Sequence, residues 1–510
     1  MDYSSFINEA QNKFGKDFEI INVSDPRYME SKQISNSYYD LFPFLIAFCT
    51  NAEQIAFCID YSTKRLDIGF RIRSGGHQHE GMCSGNQVMI IDVSRLTSTK
   101  QKLSTDTKEY WVWSGEKLRG VYDKLEAVNK VIPAGGCGNV SPGGLVQGGG
   151  WGPHSRRYGL TCDAIKEVEI VLADGSVIIA NNHNEYKDLF WAIRGGGGGN
   201  FGVITRYLFK LENLGPEYQT VQVTWPNKHT LDIAKAWANE LPMFPKEFTT
   251  ACRLTVVEAK GEVKGEVKGE ARILITGLFC GTKKDLLAIL APIFAVHRPK
   301  KEDLTITRWY PKTDKSGSLT DAIFEVGAAL QPLTIQQDDK APTTTCEKPH
   351  PHKVSSAYPK EKNHDKLLEY LVSYINDSSF NEKASKYVTL HGLGGAIVEN
   401  EDTSFAYRDK AFILQFQAWW RDTNDIEQDS YLEWIRDIRP ALGNEVEGAF
   451  INFPDKNING PYVDNYYHKI DLLSHYYGKN LIQLMAIKSK YDPLNIFNFE
   501  MSIPLPAQSY

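Results

Sequence analysis

Arg73-Ser74-Gly75-Gly76-His77 follows an apolar run, Ile68-Gly69-Phe70-Arg71-Ile72, whose composition predicts a buried strand. The strand breaks into a glycine turn, and such a turn exposes consecutive backbone N–H groups, a concavity suited to a diphosphate. His77, on the lip of that turn, can serve as nucleophile and as ligand. Sixty residues further on lies a second loop, Gly135-Gly136-Cys137-Gly138-Asn139-Val140-Ser141-Pro142-Gly143-Gly144, too rich in glycine to be packing core. Alone, His77 reads as a turn histidine and Cys137 as an inert thiol. Together, with a third cluster at Gly148-Gly149-Gly150-Trp151-Gly152, they predict a large anionic cofactor gripped from both sides.

Working outward, 510 residues exceed one ordinary core, so two or more domains are expected. The chain is 42% apolar and 12% aromatic, which fits a packed globular protein and excludes a disordered one. Fifty-seven basic residues against 63 acidic give a net charge of −6, which argues against nucleic acid as the main partner. The sequence has no apolar run long enough to span a membrane, and its first fifteen residues lack the apolar core of a secretory signal. The eight cysteines are scattered without C-x-x-C spacing. A reducing, cytoplasmic setting is the expectation, with the chain a monomer or homodimer.

Periodicity predicts helices over 52–62, 116–128 and 184–193, and strands over 68–73, 88–94, 110–114 and 203–211. Residues 165–172 and 177–180 flank Ala173-Asp174-Gly175-Ser176 and predict a hairpin with an Asp-Gly turn. Composition shifts near residue 213. Beyond it, strands at 218–224, 248–257 and 271–279 alternate with helices at 229–240, 283–295 and 363–377. The Val-Lys-Gly-Glu repeat within 260–270 reads as a solvated hairpin tip, and 337–361 as a loop. Mixed elements with many hairpins place the chain in the α+β class. The last fifty residues are expected to fold back onto the first domain.

Several motifs admit a bland reading. Gly197, Gly199 and Gly202 satisfy G-x-G-x-x-G, but they follow a helix and precede a strand, the reverse of a dinucleotide fold, so NAD binding is rejected. They remain either a close approach to a flat ring or a packing turn. His350 and His352, near Cys346, fit a solvated loop better than a metal site, and no metal is expected. Gly148 to Gly152 carries no nucleophile, so it is no hydrolase elbow. In the strand Phe412–Trp420, Gln415 and Gln417 share a face, as do Tyr387, Thr389 and His391 in 387–391. Both faces are candidate pocket walls or half-exposed sheet.

At this point the ordered set of motifs resembles the berberine bridge enzyme-like branch of the vanillyl-alcohol oxidase superfamily of flavoproteins. The markers are Arg73 to His77, Gly136-Cys137 through Gly143-Gly144 to Gly152, and Arg157-Tyr158-Gly159-Leu160. Leu189 to Gly197, Gly394-Gly395-Ala396, Asn452-Phe453-Pro454-Asp455, Tyr476 to Asn480 and Tyr491 to Phe497 complete the set. The resemblance implies a two-part FAD-binding domain of the PCMH type, residues 1–212 and 461–510. Between its parts it implies a substrate domain, 213–460, with an antiparallel sheet backed by helices. It implies FAD bonded covalently through His77 to the 8α carbon and through Cys137 to C6. Arg73, Ser74, Gly75, Gly76, Gly143, Gly144, Gly148, Gly149, Gly150, Gly152, Gly202, Val203 and Asn495 would supply further flavin contacts. It also implies that the small Val140, three residues after the cysteine, leaves O₂ a path to the ring, which favours an oxidase.

Departures from the pattern matter as much. Relatives that oxidise alcohols carry a tyrosine base where this chain has Phe453, and often a tyrosine at Trp151 and a histidine at Leu145. His391 is the expected replacement base, since imidazole titrates near working pH; otherwise it only supports the groups that touch the substrate. With Gln415, Gln417 and Val140 it makes up the expected catalytic set. The expected activity is removal of a hydride from a C–H beside a hydroxyl or amine of a small organic molecule, a secondary metabolite first. O₂ would then be reduced to H₂O₂. Oxidation of a sugar at its anomeric hydroxyl is the alternative, and a flavin-binding protein with a degenerate site is the alternative of another class.

Overall fold

A computed structural model describes residues 3–97, 101–259, 268–311, 318–331, 348–400 and 402–507. The N-terminal part holds two four-stranded sheets. In one, Glu19–Asn22, Leu45–Phe48, Met89–Asp92 and Phe70–Arg73 lie in that order, the last three mutually parallel. In the other, Glu109–Trp113, Val203–Lys210, Ile165–Val171 and Val177–Asn181 are antiparallel. The Asp-Gly turn joins the last pair: Gly175 has φ 84°, and Asp174 Oδ1 accepts from the Ser176 N–H at 2.9 Å.

The third sheet has eight antiparallel strands, in the order Leu304–Trp309, Tyr218–Thr224, Gly269–Cys280, Phe248–Glu258, Ala384–Gly392, Phe412–Trp420, His352–Pro359 and Val446–Glu447. Its strands alternate between two buried faces. Phe412, Leu414, Phe416, Ala418 and Trp420 join one core with Trp237, Leu290, Leu371 and Ile438 of the helices behind. Each large aliphatic or phenyl side chain buried there contributes about 1.5–3 kcal/mol. The helix Lys283–Val296 starts on Thr282, whose hydroxyl accepts from the Asp285 N–H. Gln415, Gln417 and Trp419 point the other way, towards the N-terminal part.

Most expected elements are present within one to three residues at each end. The clearest correction is 337–361, read as loop, where His352–Pro359 is a fully buried strand paired with Phe412–Trp420. Pro351, Pro359 and scattered Ser, His and Lys hid it, because a strand buried on both faces shows no alternation. The Val-Lys-Gly-Glu repeat and Cys346 fall largely or wholly outside the described residues. The strands flanking the repeat meet at Glu258 and Gly269.

The C-terminal helices Tyr466–Tyr477 and Leu481–Tyr491 pack into the core of the N-terminal part through Leu472, Tyr477 and Leu484. Lys488 clamps the return: its buried ammonium donates to Asn200 O (2.7 Å), Phe497 O (2.8 Å) and Asp492 Oδ2 (2.6 Å). Asn495, at φ 52°, turns the chain so that Phe497, Asn498 and Phe499 reach the central cavity. Among the described residues no helix is long and apolar enough to cross a membrane.

Candidate active site

A cavity of about 400 Å³ lies between the glycine loops and the eight-stranded sheet. That is within the range of small-ligand and cofactor sites. The loops interlock because their glycines lack side chains. A Cβ on Gly75 would stand 3.0 Å from the Ser141 N, and one on Gly143 2.8 Å from the Ser74 Oγ. Ser74 donates to the Ser114 carbonyl, and Gln147 ties in the third loop by accepting from the N–H groups of Gly195 and Gly197, each at 2.9 Å. Ser74, Gly75, Gly76, His77, Cys137, Gly143, Gly144 and Gly202 all border the cavity. So do Gly197 and Gly199, at φ 82° and 76°, which brings the G-x-G-x-x-G loop to the site.

Burial, then the charge of Lys117, pushes the His77 imidazole down to about 4, and its ring hydrogen-bonds the Asn139 backbone. A neutral imidazole keeps the lone pair that nucleophilic attachment needs. Cys137 borders the cavity from the facing loop, while Cys49, Cys58, Cys83, Cys162, Cys252 and Cys280 are free thiols.

Other expected contacts stand behind the wall. Arg73 pairs with the buried Asp92 and pins the end of its strand. Gly148, Gly149, Gly150 and Gly152 pack against protein: a Cβ on Gly152 would lie 1.7 Å from the Ala134 carbonyl oxygen, and one on Gly148 2.0 Å from Asn452 Oδ1. Val203 opens its strand in the core opposite Val171. Asn495 acts through its turn.

On the sheet side, His391, Gln415, Gln417 and Tyr387 face the cavity together. Strand register makes the pairs: Tyr387 lies opposite Gln417 and donates to its Oε1 at 3.0 Å, while His391 Nε2 is 2.8 Å from Gln415 Oε1. A carbonyl oxygen only accepts, so Nε2 carries the proton and Nδ1 is bare, with no partner among the described residues. Trp151 stands edge-on to the His391 ring at 4.5 Å, and Phe453 is tilted to it at 5.5 Å. Burial pushes His391 down to about 4, so it is neutral at working pH. Trp151 Nε1 donates to the Gly392 carbonyl at 3.0 Å, fixing the strand end that bears this histidine. Val140 also borders the cavity.

Two residues after Phe453, Asp455 joins a buried charged cluster: Lys353 pairs with Glu80 and with Asp455 (2.7 Å), and Tyr39 donates to Glu80 at 2.8 Å. Burial works against the ammonium, but the two carboxylates override it and raise Lys353. Sequence reasoning missed this cluster, along with His79, Asn36 and Trp419. His79 was legible as the second histidine of His77-Gln78-His79, but its partner His352 lies 273 residues away on the unrecognised strand.

The residues fit a flavin. The loops leave room for a Cβ-free approach, Ser141 Oγ is buried at the cavity without a partner among the described residues, and an imidazole nucleophile waits on the lip. Residues 43–181 match a family model described as an FAD binding domain, and 449–504 one described as berberine and berberine-like. The chain is 28% identical over 491 residues to an uncharacterized FAD-linked oxidoreductase, YgaK, of Bacillus subtilis, covering 95% of this chain and 96% of that one. Its fold superposes on Physcomitrella patens BBE-like 1 with TM-score 0.80 at 23% identity, covering 98% and 100%. It superposes equally on the glucooligosaccharide oxidase of Acremonium strictum, which carries 6-S-cysteinyl, 8α-N1-histidyl FAD, with TM-score 0.79 at 21% identity, covering 98% and 100%. The protein therefore binds FAD, and in the segments 43–181 and 449–504 it is similar to the berberine bridge enzyme-like FAD-linked oxidoreductases.

Proposed function

We propose that the protein is an oxidase acting on a C–H bond beside a hydroxyl of a small organic molecule, with FAD attached through His77 and Cys137. FAD held by these loops would supply the hydride acceptor, with O₂ and two protons as the final acceptor giving H₂O₂. The chain's own residues do the rest. The glycine loops and the Phe497–Phe499 segment hold the cofactor, and the small side chain of Val140 leaves O₂ an approach to it. Gln415, Gln417 and Tyr387 present an amide and phenol row that orients a hydroxyl. Phe453 cannot take a proton, so the hydroxyl proton goes to a neutral imidazole of the wall, where His391 and His79 both stand.

The observation that carries this reading is the sheet register, which turns His391, Gln415, Gln417 and Tyr387 together towards the loops bearing His77 and Cys137. The same polar row suits the hydroxyls of a sugar, which keeps carbohydrate oxidation as the second reading. Anaerobic mixing with glucose, cellobiose, 4-hydroxybenzyl alcohol and benzylamine tests both. Bleaching of the flavin by an alcohol, with H₂O₂ formed once air is admitted, is expected. Bleaching by the sugars alone selects the second reading, by benzylamine alone an amine oxidase. A flavin that none of them bleaches marks a binding protein.

A further inference from the structure

At the other end of the wall from His391, a second histidine pair is built into the cavity. His352 lies opposite Trp419 on the strand that faces His391 across Ile413, six residues along. His352 Nδ1 is 2.9 Å from the His350 carbonyl oxygen, so Nδ1 carries the proton and Nε2 is a lone pair. That Nε2 is 2.9 Å from His79 Nδ1, which must therefore donate. The chain of bonds leaves His79 Nε2 bare, on a ring that borders the cavity 6.2 Å from Phe453.

The pair is braced from behind. Asn36, fully buried, donates to the carbonyls of His79 (2.6 Å) and His352 (2.9 Å) and accepts from the His352 N–H (3.1 Å). Trp419 stacks on His352 at 3.9 Å and 22°. A proton arriving at His79 would thus be shared through His352 with a peptide carbonyl, and the indole face would steady the charge. A proton arriving at His391 Nδ1 would find Trp151, Phe453 and one amide. Burial keeps both His79 and His352 neutral.

We propose that His79 receives the proton of the substrate's hydroxyl and that His352 is the positioning residue that fixes its tautomer. This rests on the alcohol-oxidising reading above. The O–H bond breaks and its proton moves to His79 Nε2. The oxygen's electron pair closes the C=O bond, and the C–H electron pair leaves as hydride to the oxidant, FAD.

Two measurements on the holoenzyme test it. Two-bond ¹H–¹⁵N spectra of ¹⁵N-histidine protein at pH 7, assigned with His79→Gln and His352→Gln, should show both rings neutral with the proton on Nδ1. A proton on Nε2 of His79 overturns the proposal. In anaerobic bleaching by whichever of the four probes reduces the parent, His79→Gln should lower the limiting rate by about 10²–10⁴ with flavin content and KM retained. His352→Gln, which keeps an acceptor for His79, should stay within about tenfold of the parent, and His352→Leu should fall well below it. Parent-like bleaching by His79→Gln, or a larger loss in His391→Gln, overturns the proposal. If no probe bleaches the parent, the alcohol-oxidising reading fails and the proton role with it, and the spectrum shows separately whether the geometry was right.

Discussion

On one side of the cavity, Gly75 and Gly143 bring two backbones so close that a methyl group would touch Ser141 and Ser74. On the other side, Tyr387, His391, Gln415 and Gln417 do the work through side chains placed by strand register. The first surface is shaped by what its residues lack, the second by what they carry. A cradle of that kind tolerates almost no added atom. A wall of that kind tolerates substitution in its fold and loses only chemistry.

The largest effect is expected just behind the cradle, at Gly152, which does not line the cavity but packs against the loop that does. Its absent Cβ would lie 1.7 Å from the Ala134 carbonyl oxygen, so Gly152→Ala must displace backbone. It should cost about 3 kcal/mol or more, read as a lowered thermal midpoint and little folded holoprotein. Gly144→Ala, with nothing within 4 Å, is the control and should fold as the parent does. On the wall, His391→Gln should retain flavin and thermal midpoint but slow anaerobic bleaching by about tenfold, since orientation is lost while His79 still accepts. Val140→Leu adds bulk where O₂ is proposed to approach. Stopped-flow reoxidation should slow about tenfold, equivalent to about 1.4 kcal/mol, with bleaching unchanged.

The smallest effect is on pH. Burial lowers His79 and His391 to about 4, and the neutral ring is the active form. Their activity is therefore present above that value and lost as pH falls through it. The bleaching rate should be flat from pH 8 down to about 5 and halve near 4. A fall already centred near 6.5 would mean that the working imidazole is solvated.

The contrast also explains what could be read in advance. Glycine loops announce themselves, because Arg73 to His77 and Gly135 to Gly144 leave no packing alternative, and the Asp174-Gly175 turn carries its own hydrogen-bond chemistry. The faces of Phe412–Trp420 and 387–391 were legible from period two. Their pairing was not, because register depends on neighbours distant in sequence. Gly148 to Gly152 looked like more of the cradle, yet these glycines serve tight packing, a distinction that needs the atoms opposite. His352–Pro359 escaped because burial on both faces erases periodicity, and with it went the partner of His79.

The central claim is that the loop bearing His77 holds FAD by a bond as well as by shape. The most direct measurement is the intact mass of the chain after acid denaturation under reducing conditions, followed by peptide mapping. The account predicts a chain heavier by one FAD, with the flavin on the peptide containing His77, and His77→Ala without that linkage. A chain at its bare mass, with all the yellow colour in the supernatant, would contradict it.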